Sequence, residues 1–453
     1  MSTKSSFAAL LFFTLFFLTQ CTAQKLVSGP MPGYTEHFES LIWLEVASDV
    51  LKVEIKYRKL GDQKFMSSQY DGPLQKKYNP IKFQLQHLEM GSTYEYELWI
   101  DGKKTSSEKQ YTFSTRKLWE YREAPPEFSF IIGSCAYIND TQYDRPGDPY
   151  GQDYRIFKTI ENNPSEFMIW LGDNNYLREV DWSSESGIQY RYHNDRKLPE
   201  MQGLLSSRNH FATWDDHDYG PNDSDKSYRL KNVSLQAFKD YWGNQTYGED
   251  KNPGVYSSFS WADADFFLLD NRYHRSNNRY PDDSPEKTFL GNKQMEWLKN
   301  SLLSSRARFK FIVCGSQMLN LHNRNEAFAR YANEFEELMN FIVEADIWGV
   351  VFISGDRHFS EIIKREQASF YTLYDITSSP LTARPYFSVL KGKEGENPDR
   401  VEGKVAVEQN FIKISVQGEE RTDRNLLIQC FDIDNKELWN FKIDDDQLRP
   451  ARD

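Results

Sequence analysis

The sequence predicts an α/β domain preceded by a small all-β domain. Beyond residue 128, short buried apolar runs alternate with amphipathic stretches, a pattern that is typical of α/β architecture. Residues 25–115 instead alternate apolar and polar side chains with the two-residue period of half-buried strands. The predicted boundaries are therefore residues 25–115 for the all-β domain, 116–127 for a linker and 128–447 for the α/β domain.

The N-terminus carries an export signal in residues 1–23. Lys4 precedes an apolar run over residues 8–18, which is too short to span a bilayer and is followed by TQCTAQ. Two cleavage modes stay open. Residues 18–21 resemble a lipobox that would leave Cys21 lipidated, whereas cleavage after Ala23 would release a soluble protein. Either mode predicts a secreted or cell-envelope protein, such as a periplasmic protein or an outer-membrane lipoprotein.

The all-β region shows four alternating runs separated by Gly-Asp and Asp-Gly turns. Residues 88–98 read LEMGSTYEYEL, which resembles the tyrosine-corner strand of fibronectin-III-like sandwiches. The pattern predicts a small sandwich without reactive residues. The Pro125-Pro126 pair marks the linker that follows it.

The net charge of −12 argues against a general nucleic-acid binder, which needs a basic face. This charge does not exclude a phosphate ligand, because bound metal ions can supply positive charge locally. Membrane contact is expected only through an N-terminal lipid, and the protein is expected to be a monomer.

Reactive side chains follow strand after strand in the α/β region, at the edge where sites assemble in such sheets. They are Cys135 after FSFIIGS, Asp173 after MIWLG, Asp216 and His217 after FATWD, Asp270 after FFLL, and Asp356 and His358 after VVFISG. Taken singly, the Gly-Asp steps are more simply explained as ordinary turns or helix caps.

The segment TWDDHDYG, residues 213–220, crowds three carboxylates and one imidazole into four positions. Such crowding costs Coulomb energy unless a cation neutralises it, although a solvated acidic turn is the simpler alternative. Oxygen ligands suit Ca²⁺, Mg²⁺, Mn²⁺ or Fe³⁺, and a thiolate or phenolate favours a transition metal. Two cations that share one carboxylate form the usual clamp for attack on a phosphoryl centre.

Five motifs together resemble the PhoD-like alkaline phosphatases, a branch of the calcineurin-like metallophosphoesterase superfamily that is kin to the purple acid phosphatases. The motifs are GSC at 133–135, LGDNNY at 171–176, TWDDHD at 213–218, LLDNRYHR at 268–275 and SGDRH at 354–358. The resemblance covers nearly the whole mature chain and implies a four-layer αββα sandwich with a dinuclear or larger metal centre.

The resemblance also implies roles for individual residues. The implied metal ligands are Cys135 as a thiolate, Asp173 as the bridging carboxylate, Tyr176 as a phenolate, Asp216 and Asp356. His217 takes the place of the imidazole that acts on the transition state, with His358 beside it, and Asp215 supports His217 or a metal water. The implied metals are Fe³⁺ and Ca²⁺, while other divalent ions such as Zn²⁺ or Mn²⁺ stay open.

Other assignments rest on the residues alone. The guanidinium forks of Arg272 and Arg275 suit phosphate binding, and a surface salt bridge explains Arg275 equally well. Gln317 follows a strand, so it either reaches a metal from behind the ligands or makes ordinary loop hydrogen bonds. Asn222 and Asp223 fit solvated turn residues or additional calcium ligands.

These observations predict an exported, metal-dependent phosphoesterase that hydrolyses phosphate monoesters, diesters or both by a metal-activated hydroxide. The catalytic residues would be His217, His358 and Arg272. The alternative is a calcium-stabilised cell-surface binding protein without turnover, in which the all-β domain binds a surface glycan or a partner.

Overall fold

The computed structural model describes residues 25–107, 109–323, 326–367 and 370–450. The predicted signal segment, including Cys21, lies outside these ranges. Within them, no helix combines the length and apolar character needed to cross a bilayer.

The N-terminal region is all-β, as predicted. Its strands are β1 (Leu26–Thr35), β2 (Ser40–Val46), β3 (Val53–Lys59), β4 (Met66–Gln69), β5 (Asn79–Leu85), β6 (Thr93–Ile100), β7 (Lys103–Lys104) and β8 (Tyr111–Ser114). One sheet has the order β1-β2-β5 and the other β4-β3-β6-β7, with β8 paired to β6. Inward side chains such as Ile42, Ile55 and Tyr94 form a separate core. The backbone N–H of Glu89 donates to the Tyr94 hydroxyl at 2.8 Å, the local contact expected of a tyrosine corner.

Two larger sheets follow. Their strands are β9 (Phe128–Gly133), β10 (Phe167–Leu171), β11 (Asn209–Thr213), β12 (Ser257–Trp261), β13 (Ala264–Leu268), β14 (Phe309–Val313), β15 (Val350–Ser354), β16 (Ser360–Arg365), β17 (Leu373–Thr377), β18 (Arg400–Ala406), β19 (Asn410–Gln417), β20 (Asn425–Asp432) and β21 (Glu437–Asp444). The six-stranded sheet has the order β11-β10-β9-β19-β20-β21, and the seven-stranded sheet β12-β13-β14-β15-β17-β16-β18. The two sheets pack face to face, since the Phe130 ring lies 5.1 Å from Phe266 and 5.3 Å from Phe311.

Helices alternate with these strands along the chain, and some of them pack on the two sheets. They are α1 (Arg155–Asn162), α2 (Glu185–Arg196), α3 (Pro199–Ser207), α4 (Asp216–Tyr219), α5 (Lys231–Tyr241), α6 (Asn292–Ser304), α7 (Ala332–Glu344) and α8 (Gly392–Gly395). Helix α1 packs Phe157 near Trp170 of β10, and α6 packs Trp297 near Phe267 of β13. Helix α6 buries Met295, Leu298 and Leu302, the spacing of one helical face. The predicted αββα sandwich is confirmed.

The alternating runs beyond residue 401 predict antiparallel strands at the outside of the domain, and the position of β19 differs from this prediction. Strand β19 lies between β9 and β20 and pairs antiparallel with β9, from Ile412 opposite Ile132 to Val416 opposite Phe128. Its alternating sequence correctly indicated one covered face. Alternation carries no information about the order of strands in a sheet, so the central position could not be read from it.

The two domains dock directly. The outer face of the β1-β2-β5 sheet contributes Met31, Tyr34 and Trp43 to the main core, and Trp43 Nε1 donates to the backbone oxygen of Asp240 at 2.9 Å. A Cβ added at Gly33 would lie 2.5 Å from the backbone oxygen of Gly243, so the backbones touch where they meet. Residues 116–127 therefore join two packed units.

Candidate metal centre

Glycines let the strand ends that carry the predicted site residues approach one another. A Cβ on Gly172, after β10, would lie 2.7 Å from the Cβ of Asp215, and one on Gly355, after β15, would lie 2.6 Å from the backbone oxygen of Leu171. Both contacts are closer than real Cβ atoms allow. The glycines of the Gly-Asp steps are therefore needed because neighbouring segments approach too closely at this edge of the two sheets to leave room for a side chain.

Four predicted site residues adopt left-handed backbone conformations: Cys135 (φ 59°), Asp173 (φ 50°), Asp356 (φ 71°) and His358 (φ 56°). Such conformations cost on the order of 1–3 kcal/mol each and cluster at functional sites. All four residues lie just beyond strand ends, at the edge where the candidate site is located.

A first group consists of Cys135, Asp173 and His358, each offering one ligand atom within 4.8 Å of the others. Cys135 Sγ lies 3.6 Å from Asp173 Oδ2. The Tyr176 hydroxyl lies 3.1 Å from Asp173 Oδ2 and 3.2 Å from His358 Nε2, so the phenol belongs to the same group. The structure thereby brings together a thiol, a carboxylate, a phenol and an imidazole.

The backbone orients His358. Its Nδ1 lies 2.8 Å from the backbone oxygen of Arg384, and a carbonyl oxygen can only accept, so Nδ1 carries the proton. In the neutral ring Nε2 is then a lone-pair donor that faces Cys135 and Asp173. His358 was predicted to be catalytic, and its position suits a metal ligand equally well.

A second group consists of Asp173, Asp216 and His217, so Asp173 is common to both groups. The Tyr176 and His217 rings lie 4.2 Å apart. His217 Nδ1 is buried and has no hydrogen-bond partner within the described residues. An unpaired buried nitrogen beside two carboxylates is a position that a bound ion or substrate would satisfy.

A third group consists of Asp215, Asp216 and Glu326, but a guanidinium already lies there. Arg272 Nε donates to Asp215 at 2.5 Å, and Nη1 and Nη2 donate to Glu326 at 3.1 and 2.5 Å. Arg272 is fully buried. The structure therefore places Arg272, predicted to bind phosphate, as the internal partner of two carboxylates.

Three further residues have contacts that the sequence left open. Arg275 is buried and donates to Glu326 at 3.0 Å, so it does not form a surface salt bridge. Gln317 donates to Glu361 and Thr377, and these contacts direct its amide nitrogen away from the candidate ligands. Asp356 lines the cavity, but it belongs to none of the three ligand groups found within the described ranges.

Asp218 ties the loops after β10 and β11 together. Its carboxylate accepts from the backbone N–H of Asp215 at 3.0 Å and from those of Asn174 and Asn175 at 3.1 and 3.3 Å. Burial raises the pKa of Asp218 to about 8. The third carboxylate of TWDDHDYG thus sets the spacing between Asp173 and Asp216.

The acidic groups in the cavity resist ionisation when no cation is present. Burial, followed by the charges of Cys135 and Asp216, holds the pKa of Asp173 well above its usual range. Burial also raises the pKa of the Cys135 thiol to about 12 and that of Asp356 to about 8. Burial lowers the pKa of His217. A bound cation would favour the ionised forms of these carboxyl groups and of the thiol. Carboxylates and thiolates are donor types that hold hard and borderline metals.

A cavity of about 440 Å³ is lined by Asp173, Asp216, His217, Asp356 and His358, together with Asn222, Asp223 and Glu326. Burial, followed by the charge of Glu326, raises the pKa of Asp223 to about 7. A larger cleft of about 1150 Å³ adjoins it and shares Tyr150, His217 and Asn222 with it, and Tyr176 lines only the larger cleft of the two. The donor set and the open cavity fit a metal centre with room for a substrate beside it.

Glu326 was missed from the sequence. It lies on the loop between β14 and α7, where no strand, glycine step or acidic neighbour marks it. Only its buried contacts with Arg272 and Arg275 reveal its place behind Asp216.

The comparisons agree with this geometry. A family model described as PhoD-like phosphatase matches residues 130–419, more than half of the chain. Alkaline phosphatase D of Bacillus subtilis (strain 168) is 23% identical over 382 residues, covering 71% of this chain. The match covers 62% of that relative, so the chain spans less than two thirds of its length.

Two solved structures share the fold. The structure of PhoD superposes with a TM-score of 0.73 at 15% identity and covers 93% of this chain and 90% of its own. The purple acid phosphatase PPD1 from yellow lupin (Lupinus luteus) seeds superposes with a TM-score of 0.65 at 12% identity, covering 92% of this chain and 74% of its own.

Proposed function

Because the chain belongs to the PhoD-like phosphatase family, we propose that it is a hydrolase that cleaves phosphate esters in the 440 Å³ cavity with the help of bound metal ions. The observation that carries this proposal is that Asp173 belongs to both ligand groups, Cys135/Asp173/His358 and Asp173/Asp216/His217. A carboxylate common to two adjacent groups suits two cations that share one ligand, the arrangement used for phosphoryl transfer.

The ligands of one metal would be Cys135, Asp173, Tyr176 and His358, and those of the other Asp173, Asp216 and a substrate oxygen, with His217 beside them. When bound, the metals supply Lewis acidity that activates water and neutralises phosphoryl charge. Thiolate and phenolate donors favour ferric iron in the first position, and carboxylates favour calcium or another divalent ion in the second.

The remaining steps belong to the side chains. His217 lines both the cavity and the larger cleft, where a leaving-group oxygen would emerge, so it is placed to protonate that oxygen. The carbonyl of Arg384 holds the His358 ring in one orientation. Arg272 neutralises Asp215 and Glu326, which keeps the Asp216 carboxylate from being crowded by two further uncompensated charges.

Turnover and metal content test the proposal together. The full chain should release p-nitrophenol from p-nitrophenyl phosphate or bis(p-nitrophenyl) phosphate, lose activity on chelation and regain it with metal. Asp283→Asn, at an exposed carboxylate, is the control for substitutions at the cavity. Bound calcium without turnover on any phosphate ester would favour the alternative of a calcium-stabilised binding protein.

The colour of the protein tests the iron assignment. Phenolate or thiolate bound to Fe³⁺ absorbs visible light, whereas Ca²⁺ and Zn²⁺ complexes do not. Tyr176→Phe should shift or bleach this band. The control Tyr137→Phe should leave it unchanged, because Tyr137 packs 4.9 Å from the Tyr176 ring but directs its hydroxyl to Asp144. A colourless, fully active protein would refute iron and leave the phosphoesterase proposal standing.

Export is part of the same proposal and is supported by the apolar segment of residues 8–18. Mass spectrometry of the mature N-terminus separates lipidation at Cys21 from cleavage after Ala23. A retained Met1 would contradict both.

A further inference from the structure

A second cavity, of about 460 Å³, opens from the metal cavity on a side that the proposed mechanism does not use. The two cavities share Tyr150, Asn222, Asp356, Arg357 and His358, so a group bound in one is adjacent to the other. The far wall of this side cavity consists of Arg384, Pro385 and Tyr386.

Two tyrosine rings at this cavity are exposed to solvent, Tyr150 by 39% and Tyr386 by 45%. The Tyr150 ring is held from behind by Tyr137, at 4.9 Å and nearly edge-on, and its hydroxyl lies 3.4 Å from His358 Nδ1. Exposed rings that are already fixed lose little conformational freedom when a ligand packs on them.

The backbone on which these rings lie is also fixed. A β-bridge joins Gly151 to Ala383, and Arg384 donates to the backbone oxygens of Asp148 and Pro149 at 3.3 and 3.2 Å. The backbone N–H of Tyr386 donates to the His358 oxygen at 2.9 Å. Both aromatic loops are therefore bonded to each other and to a candidate metal ligand.

We propose that this side cavity is a subsite for a flat aromatic group attached to the phosphate. The proposal rests on the phosphoesterase function. The phosphate lies in the metal cavity, and its aromatic substituent packs against Tyr150, Pro385 and Tyr386. The longer and more polar part of a substrate would occupy the 1150 Å³ cleft, whose lining includes Asp144, Arg145 and Glu179. Tyr150 lines all three spaces and separates the two substituents.

Direct binding of two unhydrolysable ligands tests the subsite. Phenylphosphonate and methylphosphonate are titrated calorimetrically into the metal-loaded full chain, so the readout does not depend on turnover. Phenylphosphonate should bind roughly 2- to 10-fold more tightly, the range expected of one aromatic contact. Tyr386→Ser and Tyr150→Ser should bring the ratio of the two dissociation constants close to one, and Tyr150→Phe should keep it.

Phe387→Ser is the matched control, because Phe387 is 62% exposed and adjacent in sequence but does not line the cavity. The ratio of the two dissociation constants measured for Phe387→Ser should equal that of the parent. The subsite is refuted if neither phosphonate binds, if both bind equally to the parent, if the tyrosine variants leave the ratio unchanged, or if Phe387→Ser lowers it as much as Tyr386→Ser does. A phenyl preference without ester hydrolysis would refute the proposed function and leave the subsite standing.

Discussion

Two neighbouring parts of the acidic cluster differ in whether a basic side chain compensates the charge of their buried carboxylates. The unpaired group consists of Cys135, Asp173, Tyr176 and His358, and in the described part of the chain Asp173 forms no ion pair with a lysine or arginine. The arginine-paired group consists of Asp215, Asp216 and Glu326 around Arg272. In the first group, no described lysine or arginine pairs with Asp173, whereas the second group contains the guanidinium of Arg272.

The pKa directions of Asp173 and Glu326 follow this difference, whereas burial raises the pKa of Asp215 to about 6 although Arg272 lies beside it. In the unpaired group, burial and neighbouring negative charge hold the pKa of Asp173 well above its usual range. In the arginine-paired group, burial opposes the charge of Glu326, but Arg272 and Arg275 outweigh it and hold its pKa below the usual range. The contrast indicates where an external cation is needed and where the protein supplies its own.

The largest expected effect concerns the residue common to both ligand groups. Asp173→Asn should lower kcat/KM by roughly 10³-fold or more, because a metal contributes several kcal/mol of transition-state stabilisation. Elemental analysis should show fewer bound metal ions per chain. The metal-free variant should be at least as stable as the metal-free parent, since an uncompensated buried acid has been removed. Full activity with full metal content would contradict the role of Asp173.

The arginine-paired group should respond in the opposite way. Arg272→Gln leaves Asp215 buried without its cation and Glu326 with Arg275 alone, and the loss of one partner of a buried pair costs about 3–5 kcal/mol of unfolding free energy. Denaturant unfolding followed by circular dichroism measures this with and without metal. Arg155→Gln removes an exposed pair with Asp153 and should cost at most about 1 kcal/mol. If Arg272→Gln and Arg155→Gln lowered the free energy of unfolding equally, the buried pairing around Arg272 would stabilise the fold no more than an exposed ion pair does.

Much of this site could be predicted because its residues sit at strand ends. Buried strands and Gly-Asp steps are local signals, and the structure places Cys135, Asp173, Asp216 and His358 at one edge. Glu326 reaches the cluster from a loop without a periodic pattern, so only the tertiary fold brings it there.

Local sequence also does not show which groups a charged side chain contacts. Arg272 was predicted to bind phosphate as a catalytic residue, but a guanidinium fork suits phosphate and carboxylate equally well. Its full burial and its bonds to Asp215 and Glu326 decide between these roles. The docking of the β1-β2-β5 sheet was missed for the same reason, because a contact between domains leaves no period in either sequence.

His217 sharpens the comparison, because among the ligand groups found in the described residues it belongs only to the one with Asp173 and Asp216. His217→Ala should lower kcat roughly 10²- to 10⁴-fold by removing a proton donor while the metal content stays that of the parent. Steady-state kinetics and elemental analysis on the same sample measure both quantities. His87→Ala, at an exposed histidine of the all-β domain, is the control. Loss of metal in His217→Ala would make His217 a ligand, and an unchanged kcat would remove it from the mechanism.

The smallest expected effect is a pH dependence of the metal-free protein. Asp356 has an ordinary pKa of 3.8, which burial raises to about 8 in the folded state. Between these values the unfolded chain releases the proton while the folded chain retains it, so the unfolded state binds fewer protons and stability falls as pH rises. Below pH 3.8 both states are protonated and Asp356 contributes no slope.

Asp356→Asn should therefore flatten the decrease in unfolding free energy between about pH 4 and pH 8, which denaturant titrations across this range measure. Asp283→Asn should leave the parent slope unchanged, and saturating metal should reduce it, because a cation stabilises the ionised carboxylate. A parent slope that Asp356→Asn leaves unaltered would show that this carboxyl is not held neutral in the folded, metal-free protein.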